Sequence, residues 1–344
     1  MAHEITSTDN VLLVKQAAWH GLGVIVPDAV TPTEALPLIG AEWGVRQLAL
    51  SATDPLTGKT IELKDRLLNV RDDNFEELGI VSRHYKTFTN REVAEFCESL
   101  VEVGNEVVPV KVETAGTIRG GKKVWFLLKG ESFNIGLRDE VVPYVLVANG
   151  HDGLTSLTVT PTTIRVVCSN TLHMVVAGSD AHAAPQTAAI SIGHMGDLQS
   201  KVAAARNALA HYKHSLNYTK HQMEKLADTT VGHQELLSFF TELYDNHITA
   251  TLDKTHSDKV SSRRKDRAGR AFLTFMDRFE QEETLAGASW WNAMNAYTGM
   301  LQHDRKLRGK DENDKVEKRV HMNLLGINTV RAHDALTLAL QLAS

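Results

Sequence analysis

The stretch Val145-Leu-Val-Ala-Asn-Gly-His-Asp-Gly-Leu-Thr-Ser-Leu-Thr-Val-Thr-Pro-Thr-Thr-Ile-Arg-Val-Val-Cys-Ser-Asn-Thr-Leu172 decides the fold. Apolar, β-branched runs flank Asn149-Gly-His-Asp-Gly153, which has the composition of a hairpin turn. Glycine reaches positive φ without steric cost, and Asn and Asp tolerate it. Two antiparallel strands are predicted, Val141–Ala148 and Leu157–Val167. The second runs into Arg165, Cys168, Ser169 and Asn170, polar groups crowded at the end of an apolar strand. Ser169 or Asn170 would suit the N-cap of a helix starting at Thr171.

Towards the N-terminus the same strand signals recur. Gly44–Leu50 alternates apolar and polar residues, and Asp54-Pro-Leu-Thr-Gly58 reads as a turn. Arg66–Val70 and Leu78–Ser82 are predicted strands joined tightly through Arg71-Asp-Asp-Asn74. Val107–Thr114 and Lys122–Lys129 are two more, linked by Arg119-Gly-Gly121. Between these pairs, Thr89-Asn90 offers a helix cap. Arg91–Val103 then places Val93, Phe96, Cys97, Leu100 and Val101 at helical spacing, with Cys97 towards the core.

Towards the C-terminus the period changes to that of helices. Val202, Ala205, Leu209, Tyr212, Leu216, Thr219, Met223 and Leu226 alternate steps of three and four, a heptad seam. Such a seam either packs on its own domain or joins a second copy, so a homo-oligomer is one expectation. Further helices are predicted around Leu236–Tyr244, Phe272–Phe279, Trp290–Leu301 and Val330–Leu342, with a polar loop at Asp311-Glu-Asn-Asp314. The fold class is α+β: a mostly antiparallel twisted sheet with one or two helices in residues 1–200, followed by a helical C-terminal region, 201–344.

Composition excludes several function classes. With 42% hydrophobic and 23% charged residues, the chain reads as a soluble globular protein. It holds no apolar run approaching the roughly 18 residues of a membrane span. Met-Ala-His-Glu-Ile-Thr at the start is not a secretory signal, and two cysteines suit a reducing compartment, so a cytoplasmic protein is expected. The net charge of −5 hides an asymmetry. Residues 1–200 carry 16 Lys and Arg against 24 Asp and Glu, a balance of −8, and residues 201–344 carry 21 against 18, a balance of +3.

Candidate chemistry is sparse. His151 and Asp152, with His173, His182 and His194 nearby in sequence, invite a metal. Yet no histidine pair lies at i, i+4 beside a glutamate and no Cys-x-x-Cys occurs, so neither metal nor cofactor is expected. A structural turn is the plainer reading, a polar binding site the other. Cys168, after Val-Val in a strand, reads as buried before it reads as a nucleophile, and Ser169 lacks the glycine elbow of a hydrolase. Arg165, on an apolar strand, needs a partner, either Asp152 or a bound phosphate.

The basic clusters point elsewhere. Gly120-Gly121-Lys122-Lys123 lacks the phosphate-binding-loop spacing; it is a solvated turn or, with Arg119, a basic hairpin touching a nucleic-acid backbone. Lys254–Arg270 carries Lys254, Lys259, Arg263, Arg264, Lys265, Arg267 and Arg270 against Asp258 and Asp266, a balance of +5. Interleaved serines and a glycine suggest an arm or loop before the next helix. Several cations in a short span give sequence-independent, salt-sensitive phosphate binding. Trp290 and Trp291 offer stacking surfaces or core.

These residues also carry a likeness. Trp19-His-Gly-Leu-Gly23, Tyr85 with Asn90-Arg-Glu92, Gly116–Trp125, Asn149–Gly153, Arg165-Val-Val-Cys-Ser-Asn-Thr-Leu172 and Trp290-Trp-Asn-Ala293 resemble motifs of the phage/plasmid-like protein family, defined by a domain of unknown function. The likeness covers nearly the full length, and His194-Met195 stands where that family usually has His-Thr. The resemblance implies a mobile-element setting among replication and recombination genes. A looser likeness is to phage single-strand annealing proteins of the Red-beta and RecT kind, which assemble on DNA. The expected function is thus a non-enzymatic protein that binds or anneals single-stranded DNA, through Arg119, Lys122, Lys123, Arg165, Lys259, Arg263, Arg264, Lys265, Arg267 and Arg270. An interaction protein that inhibits a host defence factor is the alternative, and an enzyme using His151, Asp152 and Cys168 a third.

Overall fold

In the computed structural model the described residues are 11–14, 24–28, 30–100, 111–136, 139–165, 170–173, 175–176, 186–187, 189–197, 200, 203, 212–252, 262–304, 307–310, 312–324 and 327–344. Strands β1 (Val11–Val14) and β2 (Val24–Val26) precede helix α1 (Pro32–Leu38). A three-stranded antiparallel sheet follows, β3 (Val45–Thr53), β4 (Thr60–Arg71) and β5 (Glu77–Ser82), in that order. Helix α2 (Asn90–Ser99) leads to β6 (Val112–Ile118), β7 (Lys123–Lys129), β8 (Phe133–Ile135), β9 (Asp139–Gly150), β10 (Leu157–Arg165) and β11 (Asn170–His173). Then come β12 (Val175–Val176), β13 (Gln186–Thr187) and β14 (Ile190–Ile192). The large sheet runs β11-β10-β9-β7-β6-β1-β2, with β8 on β9 and β14 on β10. Its pairs are antiparallel except β1 with β2.

The predicted central hairpin is present, from Thr158 opposite Ala148 to Arg165 opposite Val141. Strand β9 shows no apolar–polar alternation because both of its faces are buried from Val141 to Gly150. Val124, Phe126 and Leu128 of β7 and Val145 and Val147 of β9 form one core with Ala35, Leu36 and Ile39 of the α1 segment and Val93, Phe96 and Cys97 of α2. Helix α2 starts with a capping box: Glu92 N donates to Thr89 Oγ1 at 3.2 Å, and Thr89 N donates to Glu92 Oε2 at 2.8 Å. Such a cap stabilises by about 1 kcal/mol. Cys97 is fully buried, and burial raises its thiol pKa, which leaves it inert.

Further helices are α3 (Tyr212–Asp228), α4 (His233–Leu252), α5 (Ser262–Ala286), α6 (Trp290–Gly299), α7 (Glu312–Leu324) and α8 (Ile327–Leu342), and a π-helical turn, Met300–Asp304, follows α6. Their core is aromatic: the Phe239 ring lies edge-on to Trp290 at 5.5 Å and to Tyr297 at 6.0 Å. Ile135 and Val141 of the sheet join this core, and buried Trp291 Nε1 donates to Asp139 Oδ2 at 2.6 Å. Trp290 and Trp291 are therefore core residues, not stacking surfaces. In α3 the heptad positions Thr219, Met223 and Leu226 are buried within this chain; Val202, Ala205 and Leu209 lie outside the described residues.

Three local expectations are corrected. Asn170–His173 is a strand paired with β10, not the start of a helix, because an unpaired β10 edge there would leave its backbone groups without ladder partners. Residues 262–270 lie in the first turns of the 25-residue helix α5 rather than in a loop, since Phe275 and Phe279 anchor that helix in the core. Glu312, Asn313 and Asp314 open α7 rather than a loop; Lys310 N donates to Asp314 Oδ2 at 2.7 Å just ahead of it.

Candidate nucleic-acid interface

The β6–β7 hairpin turns through Arg119 (φ 59°), Gly120 (φ 67°) and Gly121 (φ 91°). A non-glycine residue in the left-handed region costs roughly 1–2 kcal/mol, so Arg119 is held at the tip against its own preference. At Gly121 a Cβ would lie 2.5 Å from Trp43. That indole is fixed: its Nε1 donates to Gly40 O at 2.9 Å, the Arg71 guanidinium sits 4.6 Å from a ring centroid, and His151 meets it edge-on at 5.5 Å. The hairpin is thereby seated on the wall formed by the turn after β9.

That turn is locked on all sides. Asp152 Oδ1 accepts from Leu154 N at 2.9 Å and Thr155 N at 3.0 Å. His151 N donates to Lys122 O, Asn69 Nδ2 of β4 to His151 O and Tyr85 Oη to Gly150 O, each at 2.8 Å. Asn149 Nδ2 donates to Phe88 O at 3.2 Å. A Cβ at Gly79 of β5 would lie 2.8 Å from Asp152 Cα, so the small sheet packs backbone to backbone on the turn.

His151 is fully buried, with its Nε2 2.8 Å from Asn90 Oδ1. Asn90 Nδ2 donates to Ala41 O at 3.0 Å and to Trp43 O at 3.4 Å, which makes Oδ1 the acceptor and places the imidazole proton on Nε2. The remaining nitrogen, Nδ1, has no partner. Burial, then the neighbouring His194, push the pKa of His151 down to about 3, with Asp152 opposing. His194 stacks on Tyr85 at 4.5 Å, and its Nδ1 lies 3.0 Å from Lys86 O. Residues 149–153 thus read as a polar joint between two sheets and α2. Among the described residues no group of three His, Cys, Asp or Glu could hold a metal ion.

The chemistry lies one step outward. Lys123 Nζ on β7 meets His321 Nε2 on α7 at 3.1 Å. An ammonium only donates, so Nε2 accepts and the His321 proton sits on Nδ1. Burial, then Lys123 and Arg119, push the His321 pKa down to about 4, with Asp152 opposing. Lys123 is itself lowered by burial and by Arg119, and raised in part by Asp152. Arg119 is exposed and Lys122 half-buried. The structure thus brings together Arg119, Lys122 and Lys123, and adds His321, which no local pattern in the sequence marks.

The other expected contacts are not joined to this group. Arg165 ends β10 opposite Val141, whereas Asp152 precedes the other end of that strand. Eight strand residues separate those ends by roughly 25 Å, which rules out the expected Arg165–Asp152 salt bridge. Arg263, Arg264, Lys265 and Arg267 lie in the first turns of α5 with Arg270, whose side chain is exposed. Positions 263, 267 and 270 share one helix face by spacing. Lys259, Cys168 and Ser169 lie outside the described residues.

A family model described as a domain of unknown function (DUF932) matches residues 77–323. The chain belongs to the DUF932 family. The match takes in the turn at 149–153, Lys123 and His321; Trp19–Gly23 lies outside it. No curated protein and no solved structure matches this DUF932 chain. Among its described residues no helix is long and apolar enough to cross a membrane.

Proposed function

We propose that this chain binds the phosphate backbone of nucleic acid, with single-stranded DNA as its substrate, and acts by holding or annealing strands in the recombination or replication of a phage or related mobile element. The observation that supports this most is the cation group at the β6–β7 hairpin. A half-buried ammonium, Lys123, has a neutral imidazole as its hydrogen-bond partner, and Arg119 adds a second positive charge. Asp152, a carboxylate that acts on Lys123, already accepts two backbone N–H groups through Oδ1. A phosphate oxygen would accept charge-assisted hydrogen bonds from such a cation group.

Helix α5 supports the same reading. Arg263, Arg264, Lys265 and Arg267 stand at its N-terminal end, where the helix dipole is also positive, an arrangement that an anion relieves. Lys259 and Arg165 are carried in the proposal on charge alone, and assembly as a homo-oligomer is part of it. Filter binding of labelled single-stranded DNA to the full chain at low salt tests it. Retention that falls when Arg263, Arg264 and Arg267 are replaced together by Glu supports the reading; no retention of DNA by the unaltered protein overturns it.

A further inference from the structure

Lys123 and His321 stand 198 positions apart in sequence and meet at 3.1 Å, one on a strand and one on a helix. An imidazolium, like an ammonium, can only donate. The contact therefore exists only while His321 is neutral. Among the described residues, Arg119 of the β6–β7 turn lowers the His321 pKa electrostatically and Asp152 of the β9–β10 turn opposes it. On its own helix Lys318 pairs with Asp314 at 2.8 Å, and Arg319 donates to the Gln302 and His303 carbonyls. Two basic side chains thus share one hydrogen bond, and among the described residues Arg119 and Asp152 act on it with opposite sign.

We propose that Arg119, Lys123 and His321 form a clamp for a tetrahedral oxyanion, which closes with uptake of one proton by His321. One anion oxygen accepts from Lys123 Nζ, and the Lys123–His321 hydrogen bond breaks. The freed Nε2 takes a proton from solvent and donates it to a second oxygen, while Arg119 faces a third. The proton comes from the buffer and no covalent bond changes. The inference rests on the nucleic-acid reading only for the polymer that carries the phosphate; the clamp recognises the phosphate group itself.

Linkage gives the sign. His321 rests with its pKa near 4, and an adjacent anion stabilises the imidazolium and raises it. Between the free and bound values, affinity rises up to about tenfold for each pH unit of acidification. A pair that served only to join β7 to α7 would take up no proton when an anion binds.

Titration calorimetry on the full chain tests this with two probes, sulfate and an oligothymidylate, each in two buffers of different ionisation heat. Sulfate keeps its charge across the range used, from about pH 7.5 to about 5.5. The expected result is uptake of up to one proton per site with both probes, and tighter binding at the lower pH. His321→Gln should abolish the uptake, and Lys123→Gln should weaken sulfate binding at both pH values, with thermal unfolding showing both variants folded. Oligothymidylate binding without proton uptake, at equal affinity in His321→Gln, would overturn the clamp and leave the nucleic-acid reading standing. Proton-coupled sulfate binding with no oligothymidylate binding would support the clamp and overturn that reading.

Discussion

His151 shows how a residue that invites catalysis can be structural. Its Nε2–H is bonded to Asn90, its backbone groups tie Lys122 to Asn69, and its Nδ1 has no partner. The ring is neutral in the native state with a pKa near 3, against roughly 6.5 in an unfolded chain. The folded pKa is thus the lower one. The stability gained by keeping the ring neutral is complete above about pH 6.5 and is lost as pH falls from there towards 3, at up to about 1.4 kcal/mol per unit. Urea unfolding at several pH values should show this acid loss, shallower in His151→Gln; equal slopes in both proteins would refute it. Gly121 makes a second residue-scale case. With φ at 91° and Trp43 within 2.5 Å of an added Cβ, Gly121→Ala should lower stability by about 2 kcal/mol or more, read from the denaturation midpoint.

At the scale of elements, strands and helices with strong period were legible. The hairpin β9–β10, the capped helix α2 and the aromatic helices α4 to α6 lie where periodicity and capping residues put them. The failures share a cause. Asn170-Thr-Leu-His173 carries a good N-cap residue, yet the free edge of β10 recruits it as a strand. Residues 262–270 are rich in charge and hold Gly269, yet they continue a helix whose anchor, Phe275 and Phe279, lies a few turns later. Residues 262–270 are thus backbone-ordered in a helix rather than in a diffuse arm. Replacement of Arg263, Arg264 and Arg267 together by Glu should weaken single-stranded DNA binding at least tenfold while leaving the unfolding midpoint within a few degrees. Unchanged binding would remove α5 from the interface.

For the whole molecule, the sequence held the contiguous part of the candidate site but not its distant member. Arg119, Lys122 and Lys123 were visible as a glycine–lysine hairpin because they are contiguous. His321 was not, because the fold alone brings α7 against β7 across 198 positions. Asp152 was visible as a turn residue, but its electrostatic hold on Lys123 and His321 follows from the seating of one turn on another. Arg165 was misplaced for a related reason: a strand that starts near Asp152 carries its last residue away from it.

If backbone phosphates are held by cations of this chain, single-stranded DNA binding depends steeply on salt. With three or more phosphates contacted, a plot of log affinity against log salt should fall with a slope of about −2 or steeper, and Arg119→Ala or Lys123→Gln should each make it shallower by about 0.7. Absence of binding at the lowest salt, or an affinity that does not change with salt, would contradict the account.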